Sequence, residues 1–376
     1  MRLSKLFNDF FESEKAGGLI LIICTAVSLL IANSSYQLSY HHFWETNISG
    51  YSLEYWINDG LMAIFFLLIG LELEREVYKG ELSNFKNALL PIVAALGGML
   101  VPAFIHYLLN AGTPTQGGAG IPMATDIAFA IGILSLLGNK VPPALKIFLT
   151  ALAVIDDLGA IFTIAIFYTS QMDWMNLLLA MLIFVGLLIM NRLKLRNVFF
   201  YLVPGFLMWY FMSKSGVHPT ISGVLLAFAI PFGNGDEKST SYLLQHALHK
   251  PVAFFILPLF AMANTAIVIN SDSVSQLGSA NSLGIILGLV LGKTIGISMF
   301  TFISTKIGIT RLSEGINFKQ IIGAGFLGGI GFTMSVFITL LAFSDLNIIN
   351  VSKLSILIAS LTSALFGLIL LRFTLK

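Results

Sequence analysis

About twelve mostly apolar stretches follow one another along this chain, each long enough to cross a bilayer as a helix, and no other feature limits its fold so severely. A helical span needs ~20 such residues. The stretches begin near Ala16, Ile57, Ala88, Ile121, Leu145, Trp174, Val198, Thr220, Val252, Leu283, Ile321 and Leu354, and they consume most of the 376 residues. With 56% hydrophobic and 11% charged residues, the chain is too apolar for a soluble domain of this length. It reads as an all-α polytopic membrane protein, one transmembrane domain over 1–376. Ahead of the first span, Leu3, Leu6, Phe7, Phe10 and Phe11 fall on one helical face, which predicts an interfacial segment over 1–14. Asp9, Glu12 and Glu14 argue against a signal peptide there. The single Cys24 excludes disulfides within the chain and thiolate metal sites.

Loop charges test the span count, because cytoplasmic loops carry excess Lys and Arg. When alternate loops are assigned to opposite sides, 18 of the 21 basic residues fall on one side, only Lys214 and Lys353 on the other, and Lys293 inside the membrane. An even number of spans follows, with both termini cytoplasmic. The net charge of +2 is spread over loops and makes no nucleic-acid surface.

Four charged residues break the apolar pattern. Asp126 lies in IPMATDIAFAIGILSLL, Asp156 and Asp157 lie in the next stretch, and Lys293 is the basic residue well inside an apolar run. A carboxylate at the bilayer centre costs about 2.5–3.5 kcal/mol or more, so such residues should face a protein or water-lined interior and carry function. Two of the spans also look broken. Pro122, Thr125, Asp126 and Gly132 interrupt the first, and Gly323, Gly325, Gly328, Gly329 and Gly331 precede Thr333 in the second. A helix interrupted in mid-membrane exposes amides at one half's N-terminus and carbonyls at the other half's C-terminus. These ends attract negative and positive charge, which Asp126 and Lys293 are placed to supply. The competing reading of the glycines is close helix packing alone.

Adjacent helical residues point ~100° apart, so Asp156 and Asp157 cannot share one direction. One can meet Lys293 while the other faces a cavity. Na⁺ is a hard cation that prefers carboxylate, hydroxyl and carbonyl oxygens, and a buried carboxylate can take a proton instead. Proton and cation then compete for the same oxygens. A purely structural Asp–Lys pair is the plainer alternative for one of the two acids.

The strings FFLLIGLELERE, IPMATDIAFAIGIL, ALKIFLTALAVIDDLGAI, KSGVHPTISGV, LPLFAMANT, LGKTIGIS and GGIGFTMSVFI together resemble the NhaA-type Na⁺/H⁺ antiporters of bacterial inner membranes, over nearly the whole chain. The resemblance implies inverted-topology repeats, two broken helices crossing at mid-membrane, and pH-regulated exchange of Na⁺ or Li⁺ for protons without a cofactor. By the same resemblance, Asp157 would be the principal site for cation and proton, and Asp156 would pair with Lys293 and release it on binding. Thr125 and Asp126 would line the crossing. Glu72, Arg75, Glu76, His246 and His249 would form a cytoplasmic pH-response region. The implied partners are the lipid bilayer, small inorganic cations, protons and a second copy in a homodimer.

Two positions depart from the family pattern. Gln245 stands where an acidic residue is usual, before His246, and Glu74 where a basic one is common. The stretch 33–55 is short for the hairpin through which some members dimerise. His41, His42, His106 and His218 read as structural. Without the resemblance, a proton-coupled symporter or a channel is the runner-up. Enzyme readings are weaker still. An intramembrane aspartyl protease needs aspartates on two facing helices, commonly with a Gly-x-Gly-Asp string. A membrane prenyltransferase needs paired Asp-rich motifs, yet four residues beyond Asp157 stands Ile161.

Overall fold

The computed structural model describes residues 5–169, 172–313 and 315–375. Among the described residues, twelve helical segments correspond in order to the apolar stretches read from the sequence. They are α1 (Lys5–Ala32), α2 (Leu53–Tyr78), α3 (Phe85–Asn110), α4 (Gln116–Ser135), α5 (Pro143–Phe167), α6 (Trp174–Arg192), α7 (Phe199–Lys214), α8 (Ile221–Ala229), α9 (Thr240–Asn264), α10 (Ala280–Lys306), α11 (Phe318–Gly328 with Phe332–Ala342) and α12 (Leu346–Thr374). Among the described residues, nine are long and apolar enough to cross a membrane. The bent pair of α11, at 46°, makes a tenth. α7 and α8, of 16 and 9 residues, are shorter.

Residues 1–4 of the expected interfacial segment lie outside the described residues; from Lys5 the backbone runs helically into α1. Between α1 and α2, Asn47–Ile48 pairs antiparallel with Tyr51–Ser52. Ser49 and Gly50, both at positive φ, close a two-residue turn that matches the strand twist. The strands have two residues each.

Two of the spans after α1 begin well ahead of where hydropathy places them, by two turns or more, because polar caps start them. Ser239 accepts from Tyr242 N and opens α9 at Thr240, ahead of Val252. Asp345 accepts from Asn347 N and Ile348 N and opens α12 at Leu346, ahead of Leu354. The second extension takes Lys353 out of the loop where charge sorting put it. It is buried, and its Nζ donates to Asn264 Oδ1 at 3.3 Å.

The chain divides into two compact units: Met1–His41, Asn84–Ala160 and Ala261–Lys376, and His42–Ser83 with Ile161–Phe260. In the first, α3 and α10 cross where Gly97 faces Gly296, so closely that a Cβ on either would strike the other's carbonyl. α1 lies along α4, and α11 along α12. In the second, α2 packs on α8, and Tyr201, Met208 and Met212 of α7 join Leu67 and Leu71 of α2 in the core. This unit also contains one Gly-x-Gly-Asp string, residues 233–236. It lies in turns between α8 and α9, not on a helix as a protease site requires.

Candidate ion-binding site

Both breaks predicted in the first unit are present. α4 is a 3₁₀ segment, Gln116–Met123, and an α-helix, Ile127–Ser135, separated at 124–126. α11 is interrupted at 329–331. The two breaks satisfy each other. Asp126 caps the second half of α4, its Oδ1 accepting from Phe129 N at 3.0 Å, while its Oδ2 accepts from Thr333 N at 3.1 Å and from the Thr333 hydroxyl. One carboxylate therefore serves two helix N-termini, the end where negative charge is favoured. In return, Asp126 N donates to Ile330 O at 2.6 Å and Thr125 Oγ1 to Gly328 O at 2.8 Å, meeting carbonyls at the end of α11's first half. Ser335 Oγ donates to Ile121 O at 2.7 Å.

Lys293 does not serve those carbonyls, contrary to the sequence expectation. Its ammonium meets Asp156 Oδ2 and donates to Thr125 Oγ1 at 2.8 Å. A threonine hydroxyl occupies the carbonyl end instead, and the lysine is drawn to a full negative charge. Lys293 and Asp156 are each 0% exposed, and Asp157 is 3% exposed. Thr125 Oγ1 lies within hydrogen-bond distance of Asp156 Oδ2 (2.7 Å) as well as Gly328 O. It has one proton and two acceptors, so it serves one at a time. Asp156 Oδ1 is buried and has no hydrogen-bond partner. Buried polar atoms are rarely left so, and an acidic oxygen without a donor is where a cation or proton is accommodated.

The helix carrying the pair lets it reach inward. Pro143 opens α5 after Pro142, at the first position, where a proline costs no hydrogen bond. Past Lys146, the turns from Ile147 to Ile155 are apolar except for Thr150, as suits a helix buried around its midpoint. Ahead of Lys293, Gly288–Gly292 is wound as a π-helix. Among the described residues, no three His, Cys, Asp or Glu side chains come together as a metal-holding group. Two carboxylates with nearby hydroxyl and carbonyl oxygens suit a hard cation that is held and then released.

The second unit gathers the other candidates. The early start of α9 places Tyr242, Gln245, His246 and His249 on one helical face. His249 Nδ1 stands 3.8 Å from Glu72 Oε1, with both side chains about one-seventh exposed (14% and 16%). Arg75 reaches Gln245 Oε1 at 3.5 Å, and its guanidinium carbon lies 4.8 Å from the centre of the Tyr242 ring. The His246 ring is stacked over Tyr242 with centroids 6.2 Å apart. Glu76 folds back against Gly80. Gln245 is thus tied to Arg75 and not to its sequence neighbour His246. Glu74 is buried on the same helix, and its Oε2 has no hydrogen-bond partner.

Sequence reasoning did not single out Thr333 as a ligand of Asp126, the Gly328 and Ile330 carbonyls, or Lys353. Only the position of Thr333 directly after the glycine-rich break pointed to it.

Apolar helices throughout, with acids and a lysine collected on interrupted helices in the interior, define the class: a multi-pass membrane protein built to handle small ions. The chain matches the family model described as Na⁺/H⁺ antiporter 1 over residues 8–371, and it belongs to that family. It is 64% identical to the Na⁺/H⁺ antiporter NhaA of Flavobacterium psychrophilum, across 100% of this chain and 98% of that one. It is 58% identical to the protein of the same name from Dechloromonas aromatica (99% and 97% covered) and 47% to that from Vibrio cholerae (99% and 99%).

Proposed function

We propose that this protein is a secondary transporter that exchanges Na⁺ or Li⁺ for protons across the inner membrane, with both termini on the cytoplasmic side. The observation that carries the reading is Asp156: one oxygen holds Lys293 and Thr125, the other is buried without a donor, and Asp157 is the next residue. A buried carboxylate needs a compensating charge, which a proton, a lysine or a cation can each supply. Loading of Na⁺ at Asp157 and Asp156 displaces the Lys293 ammonium, and release of Na⁺ restores the ion pair or protonates the acids. If both acids exchange protons, more than one proton moves per cation and the exchange is electrogenic. Asp126 and Thr333 brace the crossing beside Thr125. Glu72, Glu76, His246 and His249, beside the permanently charged Arg75, bias the protein between inactive and active arrangements as the pH changes. Relatives of the same name support the choice of ions.

Purified protein in proteoliposomes, with an imposed pH gradient, tests the proposal at several pH values and at clamped membrane potential. Na⁺ uptake driven by outward proton movement and altered by the potential is the expected result. Co-directional Na⁺ and H⁺ movement would identify a symporter. Conduction without coupling would identify a channel.

A further inference from the structure

The second unit encloses a cavity of about 530 Å³ lined by residues of α2, α7, α8 and α9. That volume falls in the ~300–1,000 Å³ range of small-molecule sites. Its walls are hydrocarbon, with Ile57 and Leu67 of α2 facing Leu202 of α7 and Leu226 of α8. Of the four side chains in the wall that carry an N–H or O–H (Trp44, Trp56, Trp209 and Ser222), three donate to main-chain carbonyls. Trp56 Nε1 donates to Ile48 O at 3.0 Å, Trp209 Nε1 to Asp59 O at 3.1 Å and Ser222 Oγ to Pro219 O at 2.6 Å. They offer an occupant ring faces and no uncommitted proton. Phe43, Phe206 and Phe255, all lining residues, are exposed, whereas Ile57 is buried, so the cavity has an open rim and a closed floor. At Gly60 an added Cβ would meet only the Trp56 ring, at 3.5 Å; a missing side chain leaves that space open.

Past Trp209, α7 ends at Lys214, which is exposed and donates to Tyr51 Oη at 2.8 Å. Tyr51 in turn stacks on Tyr55 and meets Trp56 edge-on, and Trp56 stacks on Trp209 with centroids 6.1 Å apart. Tyr and Trp gather in this way where a membrane protein meets the headgroup layer. An ammonium has three protons, and the one given to Tyr51 leaves two for an anion. A hydrocarbon cavity that opens beside an aromatic cluster and a cation matches the order of parts in a phospholipid: tail, interface, phosphate. We propose that this cavity binds one acyl chain of an anionic phospholipid whose phosphate rests on Lys214.

The test uses the full chain, purified and delipidated in detergent, with phosphatidylglycerol or phosphatidylcholine carrying a photoreactive diazirine at the end of one acyl chain. After illumination, the adducts are mapped by peptide mass spectrometry. The expected adducts lie in segments 56–67 and 202–209, with phosphatidylglycerol labelling about fivefold more than phosphatidylcholine, the effect of one lysine–phosphate contact. Lys214→Gln should bring phosphatidylglycerol down to the phosphatidylcholine level. Gly60→Leu should lower labelling by both lipids roughly tenfold, as if about two methylenes were displaced; Ala63→Phe is the second cavity-filling variant should the first not fold. Adducts confined to other segments, equal labelling by the two lipids, or labelling unaffected by a folded cavity-filling variant would overturn the proposal. So would labelling that falls as protein concentration rises at fixed lipid-to-protein ratio, the mark of a second copy in the cavity.

Discussion

The crossing of α4 with α11 and the facing surfaces of α2 and α9 use similar side chains and hold them in opposite ways. At the crossing, Asp126, Asp156 and Lys293 are buried, and the side-chain hydrogen bonds of Asp126 and Thr125 span 2.5–3.1 Å. On α2 and α9, Glu72 and His249 approach only to 3.8 Å and Arg75 and Gln245 to 3.5 Å, with Glu72 and His249 partly exposed. A buried charge has no water to fall back on, so it persists only with partners in good geometry. A partly exposed one can trade a protein contact for a solvent contact at little net change. The first region is therefore a rigid frame in which gaining or losing one charge has large consequences, and the second a loose cluster suited to graded response.

The largest expected effect is at the frame. Asp157→Asn, unable to take up a proton near neutral pH and lacking the charge that holds a cation, should reduce Na⁺-dependent dequenching of a pH dye in everted vesicles to the background of empty vesicles. Normal exchange at normal expression would remove Asp157 from the ion site. Next comes Lys293→Ala, which leaves Asp156 buried without its counter-charge and should destabilise the protein by on the order of 3 kcal/mol, read as a lower melting temperature in detergent. Adding Asp156→Asn should restore part of the loss, because neighbouring partners are not additive. If the two losses simply sum, the pair does not form in the membrane.

A smaller effect is expected from Thr333→Val, which removes the hydroxyl contact to Asp126 but keeps the Thr333 amide. The loss should be about 1 kcal/mol; a loss as large as that of Lys293→Ala would mean that the side chain, more than the main chain, braces the breaks. The smallest effect belongs to the loose cluster. Gln245→Glu places a second carboxylate beside Arg75 and close to Glu72, and two acids sharing a site oppose loss of the second proton. Half-activation should move to higher pH by roughly one unit at most, with the maximal rate unchanged. An unmoved or lowered midpoint in vesicle assays would exclude position 245 from the pH response, and with it the contrast between frame and cluster.

By itself the amino-acid sequence determined the class, the order of the apolar helical segments and the positions of both breaks. Each of these depends on local quantities: transfer energy summed over about twenty residues, and proline, glycine or aspartate placed where a helix would otherwise continue. The same local signals picked out Asp126, Asp156, Asp157 and Lys293, because a charge in an apolar run is conspicuous in one dimension. Capped polar extensions escaped that reading. Thr240–Pro251 and the turns from Leu346 to Lys353 are helical through their caps and neighbours, with too little hydropathy to mark them. Only the tertiary structure decided who meets whom. Asp126 and Thr333 are 207 residues apart, and Asp156 and Lys293 are 137 apart. Thr125, between a carboxylate and a carbonyl, took the helix end that charge alone would have assigned to Lys293. Such pairings depend on the direction in which each side chain leaves its helix and on which helices are neighbours, and neither is contained in the order of residues along one segment.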